Sequence, residues 1–210
     1  MYLPRFIETR LKRRRQKHAE ALFHQLPLGP NDLVIDGGAN VGKITALLAG
    51  TGAKVLAYEP NPEAFVQLQC AFEGHPRVEC VPQALSDHNG SELLYQHKRH
   101  KPGCLDHSEA ASLISDKRNI DPDHPIKVEC RDIRNLMDSL NTRVRLMKLD
   151  VEGAEFAILH RLIDTGHIHQ IDQIFCETHE LKARSLRKER EHLRKRLRRE
   201  EIRHVNLDWG

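Results

Sequence analysis

Short apolar runs alternate along this chain with longer stretches in which apolar residues recur every three or four positions. Short apolar runs bounded by turn residues predict buried strands, and the wider spacing predicts amphipathic helices. Strands that alternate with helices favour a parallel sheet. We therefore expect an α/β three-layer sandwich, with a mostly parallel central sheet and helices on both faces. The predicted strands are 33–36, 54–59, 78–81, 126–132, 143–150, 173–177 and a last one within 202–209.

Helices are predicted between these strands. The first, over residues 5–25, has apolar positions at loosely helical spacing and ends before Pro27. Asn61 and Pro62 form a typical N-cap and first-turn pair for a helix that runs to residue 72. Residues 86–132 are the least regular part, where 91–97 could form a strand before a long loop. The other predicted helices are 41–48, 133–140, 153–165 and 182–201.

The charges are divided unevenly along the 210 residues, although the net charge is only +3. Residues 1–17 hold seven Lys or Arg against one acid, and residues 182–210 hold eleven against five, so each end carries +6. The stretch between them holds fifteen against twenty-four, which leaves −9. We predict a basic helical extension over residues 1–30 and one domain over residues 31–210. The basic helix 182–201 either packs on the sheet by a narrow leucine stripe or forms an electrostatic surface for nucleic acid or anionic lipid.

The composition excludes several classes of protein. No apolar run approaches the ~18–20 residues that cross a bilayer, and the basic N-terminus lacks the apolar core of a secretory signal. Five cysteines lie far apart with no C-x-x-C pair, which is typical of reduced thiols, so we expect a cytoplasmic protein. Residues 97–107 contain His97, His100, His107 and Cys104, but their spacing lacks the paired pattern of structural zinc. We predict no metal site there and expect a basic acceptor-binding loop instead.

The most specific chemical pattern is D-x-G-x-N-x-G, which runs from Asp36 to Gly42 directly after the first strand. Small residues let the backbone approach a ligand, and an acid at the end of the next strand, here Glu59, can hold ribose hydroxyls. A dinucleotide fingerprint needs a glycine where Ala39 stands, and a phosphate loop needs a hydroxyl where Ile44 stands. S-adenosylmethionine (SAM) binding fits better. A tight turn without a ligand explains the glycines but not the two acids together.

Two further motifs end strands that should adjoin the first strand. Asp150 ends one strand in KLDVEGAEF, and Glu177 and His179 follow another in IFCETHE. Ligands of open α/β sheets bind beyond the carboxyl ends of the strands where the strand order reverses, so these side chains should share a crevice with Asp36 and Glu59. A histidine or a buried carboxylate could take a proton from a hydroxyl, or the three groups could hold a divalent metal. The simpler alternatives are helix capping by Asp150 and a surface histidine.

Together these motifs resemble the FkbM-type family of SAM-dependent methyltransferases over residues 31–180. The resemblance implies a Rossmann-like enzyme that moves a methyl group from SAM to an oxygen, often on a sugar or a polyketide-type hydroxyl. The chain departs from the family pattern in its basic ends and in its single predicted strand after residue 182, where such sheets end in an antiparallel hairpin. By position the resemblance implies a cofactor site of Asp36, Gly38, Asn40, Gly42, Glu59, Asn61, Ala84, Leu85 and Ser86, a small-residue segment at Ser112, and a signature of Asp150, Glu152 and Gly153.

We therefore predict a SAM-dependent methyltransferase that O-methylates a hydroxyl of a small-molecule or saccharide-like acceptor, with Asp150, Glu177 and His179 as catalytic residues. Enzymes that methylate base amines have D/N-P-P-Y/F where this chain has Asp150-Val-Glu-Gly, which argues against such an acceptor. Two alternatives stay open: an RNA-directed methyltransferase that uses the basic terminal helices, and a non-catalytic Rossmann-like docking module. The basic C-terminal helix lacks the aromatic side chains that stack on bases, which disfavours nucleic acid. The intact D-x-G-x-N-x-G motif, together with Glu59 and Asp150, argues against a docking module that has lost its cofactor site.

Overall fold

A computed structural model describes residues 5–96, 121, 123–151, 153–178 and 184–209. Its main sheet has six strands in the order β3-β2-β1-β7-β8-β9, and every neighbouring pair is parallel. This is the order of a doubly wound α/β fold, and it reverses between β1 and β7. The six strands are β1 Leu33–Gly37, β2 Lys54–Tyr58, β3 Val78–Val81, β7 Leu146–Leu149, β8 Ile174–Glu177 and β9 Val205–Trp209.

Helices cover both faces of this sheet, because successive strand residues point to opposite sides. Ile35 and Met147 pack into one core with α4, α5 and α6, whereas Val34 and Phe175 pack into another with α1 and α2. The predicted three-layer α/β sandwich with a parallel sheet is therefore confirmed. The helices are α1 Arg5–His24, α2 Lys43–Ala49, α3 Pro62–Ala71, α4 Ile133–Ser139, α5 Glu155–Asp164 and α6 Arg184–Arg199.

A second, smaller sheet lies in the region that the sequence left irregular. Its three strands, β4 Ala84–Ser86, β5 Gly90–Leu94 and β6 Ile126–Asp132, are arranged in the order β4-β6-β5. The prediction of β6 is confirmed, and the strand suggested over 91–97 corresponds to β5. The strand β4 was not predicted, because three residues are too few to show a strand period.

Several element boundaries differ from the prediction by one to three residues, and two of these differences have a clear physical reason. The helix α2 begins at Lys43 rather than at residue 41, because Gly42 caps it in a left-handed conformation with φ 89°. The strand β7 is shorter than the predicted 143–150, since Val144 pairs with Ile171 only as an isolated bridge. A short 3-10 helix over His167–Gln170 was also missed.

The strand β9 lies at one edge of the main sheet and is parallel to β8. The helix α1 packs on it through Phe23, whose ring lies 5.4 Å from that of Phe175 and 5.3 Å from that of Trp209, centroid to centroid. The division of the chain into an extension and a domain at residue 30 stays a prediction. In the described part of the chain, no helix is both long and apolar enough to cross a membrane.

Candidate active site

A cavity of about 270 Å³ lies beyond the carboxyl ends of the main strands, at the switch between β1 and β7. Its volume is close to the lower end of the ~300–1,000 Å³ range of small-molecule clefts. This is where open α/β sheets bind their ligands. Seven of the predicted site residues line it: Gly38, Asn40, Glu59, Ala84, Leu85, Asp150 and Glu177.

The turn after β1 is held in a conformation that requires glycine at one position. Gly38 has φ 75°, and a Cβ atom there would lie 1.8 Å from the carbonyl oxygen of Asp150. The backbone N–H of Asp150 in turn donates to the carbonyl oxygen of Gly37 at 3.0 Å. The turn therefore lies directly against the end of β7, and the two sequence motifs that suggested a cofactor site are in contact.

Glu59 is nearly buried and anchors the turn from the side of β2. Its Oε2 accepts a hydrogen bond from the backbone N–H of Asn40 at 2.7 Å, and its Oε1 accepts one from the N–H of Asn61 at 2.8 Å. Burial raises the pKa of Glu59, although these two backbone hydrogen bonds oppose the shift. Each carboxylate oxygen can accept a second hydrogen bond, so Glu59 keeps the capacity to hold a ribose hydroxyl.

Asp36 does not line the cavity, but it contacts Lys148, which does. It is fully buried, its Oδ2 accepts a hydrogen bond from the Thr45 hydroxyl at 2.7 Å, and its Oδ1 lies 3.2 Å from the ammonium of Lys148. Asp36 was predicted to belong to the cofactor site. In the structure it supports that site indirectly, because it holds the first turn of α2 through Thr45 and contacts Lys148 of β7.

Lys148 joins the glycine turn to β7 and was not predicted as a site residue. Its Nζ donates to the carbonyl oxygens of Gly38 at 2.6 Å and Gly37 at 3.2 Å, and it lies 4.0 Å from a carboxylate oxygen of Asp150. Burial alone would lower the pKa of Lys148, but the carboxylates of Asp36 and Asp150 outweigh that effect and raise it. One signal was available in the sequence: a lysine inside the otherwise apolar run of β7.

Trp209 is the second residue of the cavity wall that the sequence did not reveal. It ends β9, is the only tryptophan of the chain, and lies with its ring centroid 5.8 Å from the Lys148 ammonium. A cation over an indole ring at this distance is attracted to its electron-rich face. Nothing in the sequence linked this last strand to the site, because only the parallel pairing of β9 with β8 brings it there.

Three more of the predicted cofactor residues support the cavity without lining it. Gly42 is the N-cap residue of α2, and a Cβ atom there would meet Phe72 at 2.6 Å. Asn61 caps α3 by accepting a hydrogen bond from the N–H of Glu63. Ser86 is buried, and its hydroxyl contacts the side chains of Asp87 and His88.

Asp150 and Glu177, two of the three predicted catalytic residues, lie at the carboxyl ends of the neighbouring strands β7 and β8 and line the same cavity. The third, His179, lies outside the described residues, as do Glu152, Ser112 and the segment with Cys104 and its histidines. Within the described ranges, no cluster of three or more His, Cys, Asp or Glu side chains is placed to hold a metal ion. The roles assigned to these residues stay predictions.

The parallel sheet, the glycine turn at its switch point and the acids at the carboxyl ends of β1, β2 and β7 define a class, the Rossmann-like SAM-dependent methyltransferases. The family model of the methyltransferase FkbM domain matches residues 36–201, and the chain belongs to this family. Its cofactor is SAM.

Curated relatives and solved structures are similar to this chain over different lengths. Methyltransferase 1 from Beauveria bassiana is 27% identical over 167 residues, 72% of this chain and 66% of its own length. Ribosomal RNA small subunit methyltransferase A from Thermotoga neapolitana is 38% identical over 61 residues, 29% of this chain and 24% of its own length. The chain thus spans less than two thirds of these relatives.

Two solved structures are similar at low sequence identity. A protein from Streptococcus mutans in complex with SAH has a TM-score of 0.47 and 11% identity, covering 86% of this chain and 81% of that one. An rRNA methylase from Streptococcus thermophilus has a TM-score of 0.45 and 14% identity, covering 87% of this chain and 78% of that one.

Proposed function

We propose that this protein transfers the methyl group of SAM to a hydroxyl oxygen of a small-molecule or saccharide-like acceptor. One observation carries the proposal: Asp150 and Glu177, at the ends of adjacent strands, line the same cavity as Glu59 and the glycine turn. An acceptor hydroxyl between these two carboxylates would lie beside a cofactor that the turn and Glu59 hold.

The charge of the cavity suits a sulfonium ion. Its wall contains three acids and two lysines: Glu59, Asp150, Glu177, Lys43 and Lys148. The buried carboxylate of Asp36, which does not line the cavity, also partly neutralises the ammonium of Lys148. The surplus of negative charge stabilises a cationic ligand over its neutral product. Because the sulfonium already activates the methyl group, the protein mainly has to align the acceptor, and such alignment can supply ~7–11 kcal/mol of the barrier.

Each part of the wall then has one role. The turn at Gly38 and Asn40 shapes the methionine side, and Glu59 holds the ribose. Ala84 and Leu85 offer an apolar surface to the adenine. Asp150 and Glu177, together with His179 as predicted from the sequence, orient the acceptor and receive its proton.

Methyl transfer from labelled SAM to a panel of hydroxyl compounds, sugars included, tests the proposal. We expect Asp150→Asn to lower kcat by roughly 10²–10⁴-fold, the usual contribution of a positioned acid or base. Asp172→Asn is the matched control, because Asp172 pairs with Arg143 and Arg145 just before β8 and does not line the cavity. A label found on nitrogen, or equal loss in both variants, would overturn the assignment of a hydroxyl acceptor prepared by Asp150.

RNA is a second candidate acceptor. A curated relative named ribosomal RNA small subunit methyltransferase A matches 61 residues of the chain, and both ends of the chain are strongly basic. Label recovered in RNA, with none in the hydroxyl panel, would favour this candidate over a small molecule.

A further inference from the structure

The two basic ends of the chain, far apart in sequence, meet at one edge of the main sheet. Arg15 of α1 and Arg190 and Arg194 of α6 all reach the carboxylate of Asp208 on the edge strand β9. The two helices pack in different hydrophobic cores, α1 with Phe175 and Trp209 and α6 with Leu207, so they flank β9 from opposite faces of the sheet. Folding therefore brings arginines from both ends of the chain to one carboxylate on the edge strand.

Between these helices runs a groove of about 530 Å³ along β9. Leu22 of α1 and Leu26, two residues after the end of that helix, form one wall. Arg194 and Arg198 of α6 form the other, with Arg203 in the segment that leads into β9. Because β9 has five residues, the groove extends along a strand of ~16 Å.

The positive charge of this groove is only partly neutralised. Asp208 is the one acid among the described residues that line it, and three arginines already share its carboxylate. Arg198 and Arg203 are exposed and form no ion pair with any carboxylate of the described residues. Burial and the neighbouring guanidinium of Arg190 lower the pKa of Arg194, a sign of crowded cations. An anionic partner would relieve this repulsion.

We propose that this groove binds the phosphate backbone of single-stranded RNA. Its exposed cations are arginines, whose planar guanidinium groups form paired hydrogen bonds to phosphate oxygens. The groove is concave, which fits a strand better than it fits a flat bilayer. The amides of Gln173 and Asn206, which also line it, are suited to hydrogen bonds with ribose 2′-hydroxyls.

The groove and the cofactor cavity are both lined by residues of β9. Asp208 lines the groove, and the next residue, Trp209, lines the cavity. The proposal concerns binding alone and does not depend on which hydroxyl accepts the methyl group.

The test is fluorescence anisotropy with a labelled RNA of ~16 nucleotides, the upper range of single-strand sites, over a series of salt concentrations. The variant is Arg198→Gln with Arg203→Gln. We expect affinity to fall about tenfold at low salt, and the slope of log K against log salt to decrease by about 1.4, or 0.7 for each lost phosphate contact. In the wild type, RNA should slow amide hydrogen exchange in α6 and β9.

The matched control is Lys54→Gln with Lys127→Gln, two exposed lysines away from the groove whose loss removes the same charge. Circular dichroism checks that both double variants fold. Equal loss of RNA affinity in the two double variants would overturn the proposal, as would exchange protection elsewhere in the wild type. Tighter binding to phosphatidylserine vesicles than to RNA, dependent on Arg198 and Arg203, would assign the groove to a membrane instead.

Discussion

The cavity and the groove are neighbouring regions with opposite electrostatics. In the cavity, buried charges are held by specific partners: Lys148 lies between Asp36 and Asp150 and donates to two backbone carbonyls. In the groove, the exposed guanidinium groups of Arg198 and Arg203 have no carboxylate partner in the described part of the chain. The charged side chains of the cavity are therefore held in place without a ligand. The positive charge of the groove, in contrast, would be neutralised by a bound anion.

This difference separates two kinds of recognition. Buried, partnered charges cost free energy if a partner is removed, so they define geometry. Exposed cations contribute little to stability but attract anions over a distance set by the salt concentration. Substitutions in the cavity should therefore change folding and cofactor affinity, and substitutions in the groove should change partner binding.

The largest effect is expected at Gly38. In Gly38→Ala the new Cβ would lie 1.8 Å from the carbonyl oxygen of Asp150, so the turn must move and SAM binding should be lost. Gly166→Ala is the matched control, because Gly166 has the same φ of 75° and a Cβ atom there would meet nothing within 4 Å. It should cost only ~1–2 kcal/mol of stability for the left-handed conformation. Urea unfolding and SAM titration are measured for both variants. Similar losses of stability and of SAM affinity in the two variants would exclude the close contact at Gly38 as the cause.

The second effect concerns the buried ion pair. Lys148→Met should destabilise the fold by ~3–5 kcal/mol, because it leaves the carboxylate of Asp36 buried without its cation. Adding Asp36→Asn should recover part of that loss, since the buried charge is then gone. Unfolding in urea measures the single and double variants. If adding Asp36→Asn lowers the unfolding free energy further, the pairing of Lys148 with Asp36 is not what stabilises this region.

The third effect is a dependence on pH. Because burial raises the pKa of Glu59 above its ordinary 4.5, the folded state binds this proton more tightly than the unfolded state. Its stability contribution is complete below pH 4.5 and is lost as pH rises through the raised pKa. The difference in unfolding free energy between wild type and Glu59→Gln should fall across that window, while SAM affinity rises as the carboxylate ionises. A flat difference would mean that Glu59 is not buried as described.

The smallest effect is expected at the edge of the sheet. Arg15→Gln should change the unfolding free energy by less than ~1 kcal/mol, since this arginine is half exposed and pairs with Asp208 at 3.3 Å. Arg190→Gln should cost more, because Arg190 is buried and also donates to Thr178 and to the carbonyl oxygen of Leu207. Thermal unfolding compares them. A larger loss for Arg15 would mean that α1 holds β9 more strongly than α6 does.

Much of the fold could be predicted because its signals are local. The strand period, the Asn61 cap and the glycine turn each depend on a few consecutive residues, and the structure confirms these elements. The meeting of the D-x-G-x-N-x-G and KLDVEG motifs was also predictable, since parallel strands place their carboxyl ends at one edge of a sheet.

The remaining features depend on contacts between distant parts of the chain. Trp209 belongs to the cavity only because β9 pairs in parallel with β8, and no local pattern reveals that pairing. The groove could not be predicted either, because Arg15 and Arg194 are far apart in sequence and come together only at Asp208. Asp36 shows a third limit: the sequence places it at a strand end, but only the packed structure shows that it is buried against Thr45 and Lys148 and does not line the cavity.

Calorimetric titration of SAM and of SAH into the wild type and into Glu59→Gln examines the cavity most directly. We expect one site that binds SAM more tightly than SAH, because only SAM carries the sulfonium charge. Loss of the Glu59 carboxylate should weaken SAM binding by about 10–100-fold, the contribution of a hydrogen bond to a charged group. Absence of SAM binding to the wild type, or an unchanged affinity in Glu59→Gln, would show that this cavity is not the cofactor site.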